Sequence, residues 1–162
     1  MMRPYLISLV ILTLSSLAKA EPVTIAAGNV AASLELNAPD GAKVIVKGGK
    51  TTISTKKLWL YIWAVPNAKT VGEALPQVNE IIKSEVTDFV IGSTEVISVA
   101  GGDATHLKGK GTEADDGDPG TADVVVFAAG KNVFAACVHG EGAEAAKERS
   151  DMLSVLKTAK PL

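Results

Sequence analysis

Cys137-Val138-His139 sets a thiol and an imidazole two residues apart. In a β-strand, positions i and i+2 share a face, so both side chains can approach one metal ion. His106 is the only other histidine and Cys137 the only cysteine. If the strand carrying His106 pairs with the strand carrying Cys137, the three residues form a Cys/His/His set for copper or zinc. The competing assignment is structural. A free cysteine commonly packs as a small buried apolar residue, and His139, just before Gly140, can simply end a strand. Cys137 and His139 also have the residue types of a nucleophile and its base. That chemistry needs an orienting third group and an oxyanion hole, and no neighbouring motif supplies either. No catalytic residue is therefore assigned, and the chain is read as a non-enzyme.

A second candidate is the stretch LWLYIWAVP, Leu58 to Pro66. Trp59, Tyr61 and Trp63 alternate with Leu60 and Ile62, so in a strand the three rings project from one face. Such a face binds an apolar or sugar-like ligand if it is open, and forms the wall of a core if it is covered. Both faces of this strand are apolar, the pattern of a strand buried on two sides. Leu58, Leu60, Ile62 and Ala64 are expected to face one covering layer and the rings the other. A third candidate, Glu113-Ala114-Asp115-Asp116-Gly117-Asp118, is acidic enough for calcium but lacks the spacing of an EF-hand loop. Asp118-Pro119-Gly120 is ordinary turn chemistry. The pairs Gly48-Gly49 and Gly101-Gly102 precede no helix, which phosphate-binding loops require.

The elements that must position these groups follow from pattern. Val23 to Pro66 favours strands: Ser33-Leu34-Glu35-Leu36 alternates, Ala38-Pro39-Asp40-Gly41 signals a turn, and Ala42 to Val46 resumes a strand. Gly48-Gly49 marks a tight hairpin before Thr51 to Thr55, with Leu58 to Val65 as the next strand. Thr70-Val71-Gly72-Glu73 fits a capping box, and Val71, Leu75, Val78 and Ile82 recur at helical spacing. Pro76 lies too deep for a first-turn proline, which predicts either a kink or a late helix start there. A second strand block covers Phe89 to Ile91, Glu95 to Val99, Thr105 to Lys108, Asp123 to Ala129 and Val133 to His139. Lys108 to Gly120 reads as a loop. Glu141 to Ala159 reads as the last helix, with Ala145, Arg149, Met152, Leu153 and Leu156 as its inner stripe. Glu141 and Glu144 near its start and Lys157 and Lys160 near its end suit the macrodipole. Strands, helix, strands, helix, with no βαβ alternation, predict an α+β fold: a mainly antiparallel sheet with helices packed on it.

Met1 to Ala20 stands apart. Arg3, the apolar run Tyr5 to Leu14, and Ala18-Lys19-Ala20 have the layout of a secretory signal peptide cut between Ala20 and Glu21. The run is shorter than the roughly 20 apolar residues that span a bilayer. The absence of a cysteine at the cut excludes a lipoprotein signal. Loss of Arg3 and Lys19 takes the net charge from −2 to −4. There is no basic stripe of the kind that neutralises phosphates, so nucleic acid is not an expected partner. No second apolar span follows, so no transmembrane segment is expected after cleavage. A lone cysteine forms no internal disulfide. The fold must then rest on its core, for which residues 21 to 162 are enough as one domain.

Three segments carry a resemblance. NAPDGAKV (Asn37 to Val44) resembles an opening strand and turn, SVAGGDATHLKGKG (Ser98 to Gly111) a central hairpin, and ADVVVFAAGKNVFAACVHGEGAEAAKERSDMLSVLKTAK (Ala122 to Lys160) a last hairpin and closing helix. The segment Val71 to Leu162, with NAPDGAKV ahead of it, resembles the PsbP-like α/β/α sandwich family, relatives of photosystem II PsbP and periplasmic DcrB. The resemblance implies a three-layer fold that covers both faces of its sheet. It carries no catalytic signature and no site residue. The expectation is a periplasmic or secreted non-enzymatic module, with no cofactor, that binds or helps assemble an unknown protein partner in the cell envelope. The alternative is a small-ligand or metal carrier using Trp59, Tyr61 and Trp63, or Cys137 with His139.

Overall fold

The computed structural model describes residues 21–26 and 33–162. The proposed leader, residues 1–20, lies outside the described residues, as do residues 27–32 of the first strand block. Among the described residues no helix is long and apolar enough to cross a membrane.

The first block folds as β1 (Glu21–Ile25), β2 (Leu34–Ala38), β3 (Lys43–Lys47), β4 (Lys50–Ser54) and β5 (Trp59–Ala64). Gly48 and Gly49, at φ of 59° and 77°, form the β3–β4 turn, a conformation that costs a residue with a Cβ. The helical segment then runs α1 (Val71–Ala74), a 3₁₀ turn (Leu75–Gln77) and α2 (Val78–Ile82). Thr70 caps it as expected, its Oγ1 accepting from the Glu73 amide at 3.2 Å. The Glu73 carboxylate accepts from the amide of Lys69, one residue before the cap. Pro76 sits in the 3₁₀ turn, where its missing N–H and its ring interrupt the α-helical ladder.

The rest folds as β6 (Val86–Val99), β7 (Gly102–Glu113), β8 (Pro119–Ala129), β9 (Asn132–Gly140), α3 (Gly142–Leu156) and β10 (Lys160–Pro161). Two sequence expectations need correction here. Phe89–Ile91 and Glu95–Val99 belong to one long strand, kept continuous across two register shifts against β7. Lys108 to Gly120 is mostly strand, and only residues 114–118 lie between β7 and β8. The glycines that read as loop mark close backbone approach instead. A Cβ on Gly109 would stand 2.3 Å from the carbonyl oxygen of Val90, and one on Gly111 would stand 2.4 Å from Val86 Cγ1. The last helix also stops sooner than read, at Leu156. The Thr158 hydroxyl bonds the Val155 carbonyl and accepts from the Asn37 amide at 2.8 Å, which turns the chain toward β2.

Seven strands form one antiparallel sheet in the order β3-β4-β5-β9-β8-β7-β6, and β1, β2 and β10 form a second, smaller one. Burial on both faces of the large sheet divides the core. On one face Leu60, Ile62, Phe127 and Phe134 pack with Leu34 and Leu36 of the small sheet and with Met152 and Leu156 of α3. On the other face Tyr61, Trp63, Val124, Val126 and Cys137 pack with Ala74, Val78 and Ile82 from the helical segment. The result is the α+β sandwich expected from the element order, with helices over both faces of an antiparallel sheet.

Candidate functional site: the aromatic strand, the cysteine and histidine of one strand, and a buried charge network

The three rings of β5 share a face, as their alternation requires, but not an environment. Trp59 is 50% exposed, whereas Trp63 is 8% and Tyr61 9% exposed. Tyr61 is enclosed by side chains: the His139 ring stacks on it at 5.6 Å and 5°, and Trp63 lies 6.1 Å away. Lys50 Nζ stands 5.0 Å from the Tyr61 ring centroid and is itself ion-paired with Glu85. Burial, and then the nearby Glu85 carboxylate, drive the Tyr61 hydroxyl well above its ordinary pKa. Trp63 packs in one cluster with Ala74, Val78 and Ile82 of the helical segment, whereas Trp59, next to the β4–β5 turn, is not part of that cluster. A cleft of about 470 Å³ runs beside Trp63, lined also by Gly48, Gly49, Pro66, Pro76 and Ile81.

Cys137 pairs with Tyr61 across β5 and β9 and is fully buried. Burial raises its thiol far above the usual range, and the Glu85 and Asp123 charges add to this, so the thiolate that binds metal or attacks carbonyls is suppressed. His139 shares its face, with Nδ1 3.1 Å from Glu113 Oε1, close enough for a charge contact but not aligned as a hydrogen bond. His106 does not join them. β8 separates β7 from β9. His106 also pairs with Val125, on the face packed by α3, whereas Cys137 belongs to the face packed by α1 and α2. The sheet itself therefore divides the proposed Cys/His/His set. Among the described residues, the acidic ligand atoms that do converge are those of Glu113, Asp115 and Asp116, within 4.8 Å of one another at the β7–β8 turn. Asp115 and Asp116 are exposed.

His106 instead centres a charge network that the sequence reading missed. Its ring is fully buried. Nδ1 lies 2.8 Å from Glu95 Oε1 and Nε2 2.7 Å from Asp123 Oδ1. The imidazole is thus held between two carboxylates, one at each ring nitrogen. Arg149, on the inner side of α3, brings Nε 2.6 Å from Asp123 Oδ1, and Lys108 Nζ lies 2.9 Å from Glu95 Oε1. Burial alone would raise the Asp123 carboxyl. The hydrogen bond with His106 and the Arg149 guanidinium outweigh it and hold the pKa below the usual range. Glu95 is lowered as well, by its hydrogen bond from Lys108 and then by His106. The signal available in sequence was Asp123 itself. A carboxylate at the head of the apolar run Val124 to Ala129, on a strand buried on both faces, needs a partner. In the middle of α3, Glu148 is pushed up to about 7 by burial. Nearby His139 opposes the shift, and Glu144, Asp151 and Glu113 add to it.

Comparison with solved structures bears on the fold. A solution structure of cyanobacterial PsbP (CyanoP) from Synechocystis sp. PCC 6803 aligns over 91% of this chain and 95% of its own, with a TM-score of 0.56 at 14% identity. A crystal structure of a protein from Bacteroides thetaiotaomicron VPI-5482 aligns over 80% of this chain, with a TM-score of 0.53 at 18% identity, and the match spans 45% of that longer chain. LpqN, involved in cell envelope biogenesis of Mycobacterium tuberculosis, aligns over 87% of this chain and 90% of its own, with a TM-score of 0.49 at 13% identity. No family model matches the sequence, and no curated protein matches it. The chain has a PsbP-like fold, the sandwich its last hairpin and closing helix already resembled.

Proposed function

We propose that this chain is an exported, non-enzymatic binding or assembly module of the cell envelope, with a protein as its partner. One observation carries the reading: Cys137, His106 and Tyr61, three of the side chains singled out for chemistry or binding, are engaged inside the fold. Cys137 is buried with its thiol pKa raised, His106 is held between two carboxylates, and Tyr61 is enclosed by its neighbours. Exposed apolar residues lie at both edges of the sheet, Val44, Ile45 and Val46 on β3 with Trp59 nearby, and Val90, Ile91 and Val96 on β6; β3 alone adds flanking lysines, Lys43 and Lys47. The leader pattern of Met1 to Ala20 supports export. The test is a photo-reactive residue in place of Trp59, activated in living cells. A discrete heavier adduct containing one other protein is expected; no adduct above that of an irradiated wild-type control would contradict the reading.

The cleft beside Trp63 favours one alternative, a small apolar ligand held between the β3–β4 turn and the helical segment. The metal-carrier form of that alternative requires Cys137 to ionise. Copper and zinc are expected to leave the melting temperature of wild type and of Cys137→Ser equally unchanged. A rise in the wild type alone would support the carrier.

A further inference from the structure

Resting on the binding-module reading, we propose that the outer edge of β3 accepts an extended acidic segment of the partner protein as an eighth strand of the large sheet. The sheet has two edges, β3 and β6, and an unpaired edge presents a row of backbone donors and acceptors to any extended chain. The two edges are built differently. β6 carries apolar residues outward but breaks its register between Thr87 and Val90 and again between Ile91 and Ser93. Asp88 there has φ of 53°. Bulges of this kind twist an edge away from pairing. β3 has no such interruption: its five residues pair one for one with β4, from Lys43↔Ser54 to Lys47↔Lys50. All five are exposed. Val44, Ile45 and Val46 are exposed by 37, 41 and 66%. Among the described residues no other strand pairs with β3.

Charge selects the occupant. Lys43, Ile45 and Lys47 share one face of β3, and Val44 and Val46 the other. A second copy aligned antiparallel about Ile45 would set Lys43 against Lys47 of its mate, and a parallel in-register copy would set each lysine against itself. Like charges directly opposite are destabilising, so the lysines reject the chain's own edge. They match instead an incoming strand of pattern acidic–x–apolar–x–acidic, whose first, third and fifth residues lie over Lys43, Ile45 and Lys47. The surroundings reinforce the preference. Between Asp40 and Glu73 there are six lysines and no acidic residue, in a chain of net charge −2. Glu85 engages only Lys50 of the six. Main-chain hydrogen bonds would supply affinity and the flanking ion pairs specificity, the general logic of strand addition.

The test uses a capped, fluorescently labelled peptide with Glu-Thr-Val-Thr-Glu at its centre, and a control in which both glutamates are lysine. Binding to the full mature chain is followed by anisotropy. The wild type is expected to bind the acidic peptide at least about tenfold more tightly than the basic one, because each flanking pair changes from attraction to repulsion. Lys43→Glu/Lys47→Glu, two surface changes that leave the circular dichroism spectrum intact, is expected to reverse that preference. Equal binding of both peptides, no binding up to about 1 mM, or a preference unmoved by the charge reversal would each overturn the proposal. So would charge-dependent binding to phosphatidylglycerol vesicles without peptide binding, which would assign the edge to a lipid surface. A Trp59 adduct in cells alongside any of these failures leaves the binding-module reading standing and removes only the strand.

Discussion

Asp123→Ala removes the one carboxylate on which an imidazole and a guanidinium converge. The cost can be worked from the two contacts. His106 is fully buried, so its Nε2 loses a hydrogen bond at 2.7 Å with no route to water; bonds involving a charged group are worth about 1.5–3 kcal/mol. Arg149 keeps about a third of its side chain exposed and can turn outward, which limits its share to the roughly 0.2–1 kcal/mol of a partly solvated pair. The expected loss is about 2–4 kcal/mol, close to the range for breaking a buried ion pair from one side. Glu95→Ala, which removes the half-exposed carboxylate on the other side of the ring, is expected to cost much less. His106→Leu combined with Asp123→Leu, which removes both partners together, is expected to recover part of the loss. Urea melts at pH 7 measure all three. The pH dependence supplies a second readout. The Asp123 carboxyl has a lower pKa in the folded state than in the unfolded chain. Its contribution is therefore present above the unfolded value of about 4 and disappears as pH falls through the folded value. Wild-type stability should fall more steeply between about pH 5 and pH 2 than that of Asp123→Ala. Equal losses for Asp123→Ala and Glu95→Ala, with parallel pH profiles, would refute the network.

Phe127, fully buried and stacked 5.6 Å from Phe134, should cost about 3–5 kcal/mol on replacement by alanine, while Asp116→Ala in the exposed turn should cost under about 0.5 kcal/mol; denaturant melts compare them. Fluorescence of Trp59→Phe should be blue-shifted and resist acrylamide, reporting buried Trp63, while that of Trp63→Phe should be red-shifted and readily quenched, reporting exposed Trp59. Glu148→Gln should raise the melting temperature at pH 8, where the native carboxylate is ionised against its burial and its acidic neighbours. It should have little effect at pH 4, because a carboxyl raised to about 7 destabilises the fold progressively as pH climbs from its unfolded value.

Local pattern was legible where one neighbour decided the outcome. Thr70 and Glu73 marked the start of a helix, Pro76 either a kink or a late start, of which the 3₁₀ interruption is the first, Gly48-Gly49 a hairpin, and the runs Asp123 to Ala129 and Val133 to His139 two strands. The alternation in β5 also foretold that its two sides would face different layers. What was not legible depended on partners far along the chain. Gly109 and Gly111 raise the glycine content of their segment as a loop would, and only the backbone of Val86 to Val90 packed against them shows why they lie in a strand. Nothing in Trp59-Leu60-Tyr61 says where the covering helices end, so the exposure of the first ring was hidden. His106 was read toward Cys137 because both are metal-ligand types. Its actual partners come from β6 and β8, and Arg149 completes the set from α3.

Amide hydrogen exchange on the free chain and on the chain saturated with the acidic peptide reads the β3 edge directly. In the free chain the amides of Lys43 to Lys47 that point away from β4 should exchange quickly, while those of β8 and β9, paired on both sides, should be slow. With peptide bound, new protection should appear on β3 and on the peptide's own central amides, and leave β6 unchanged. New protection on β6 or around the Trp63 cleft, with β3 exchanging as before, would contradict the account.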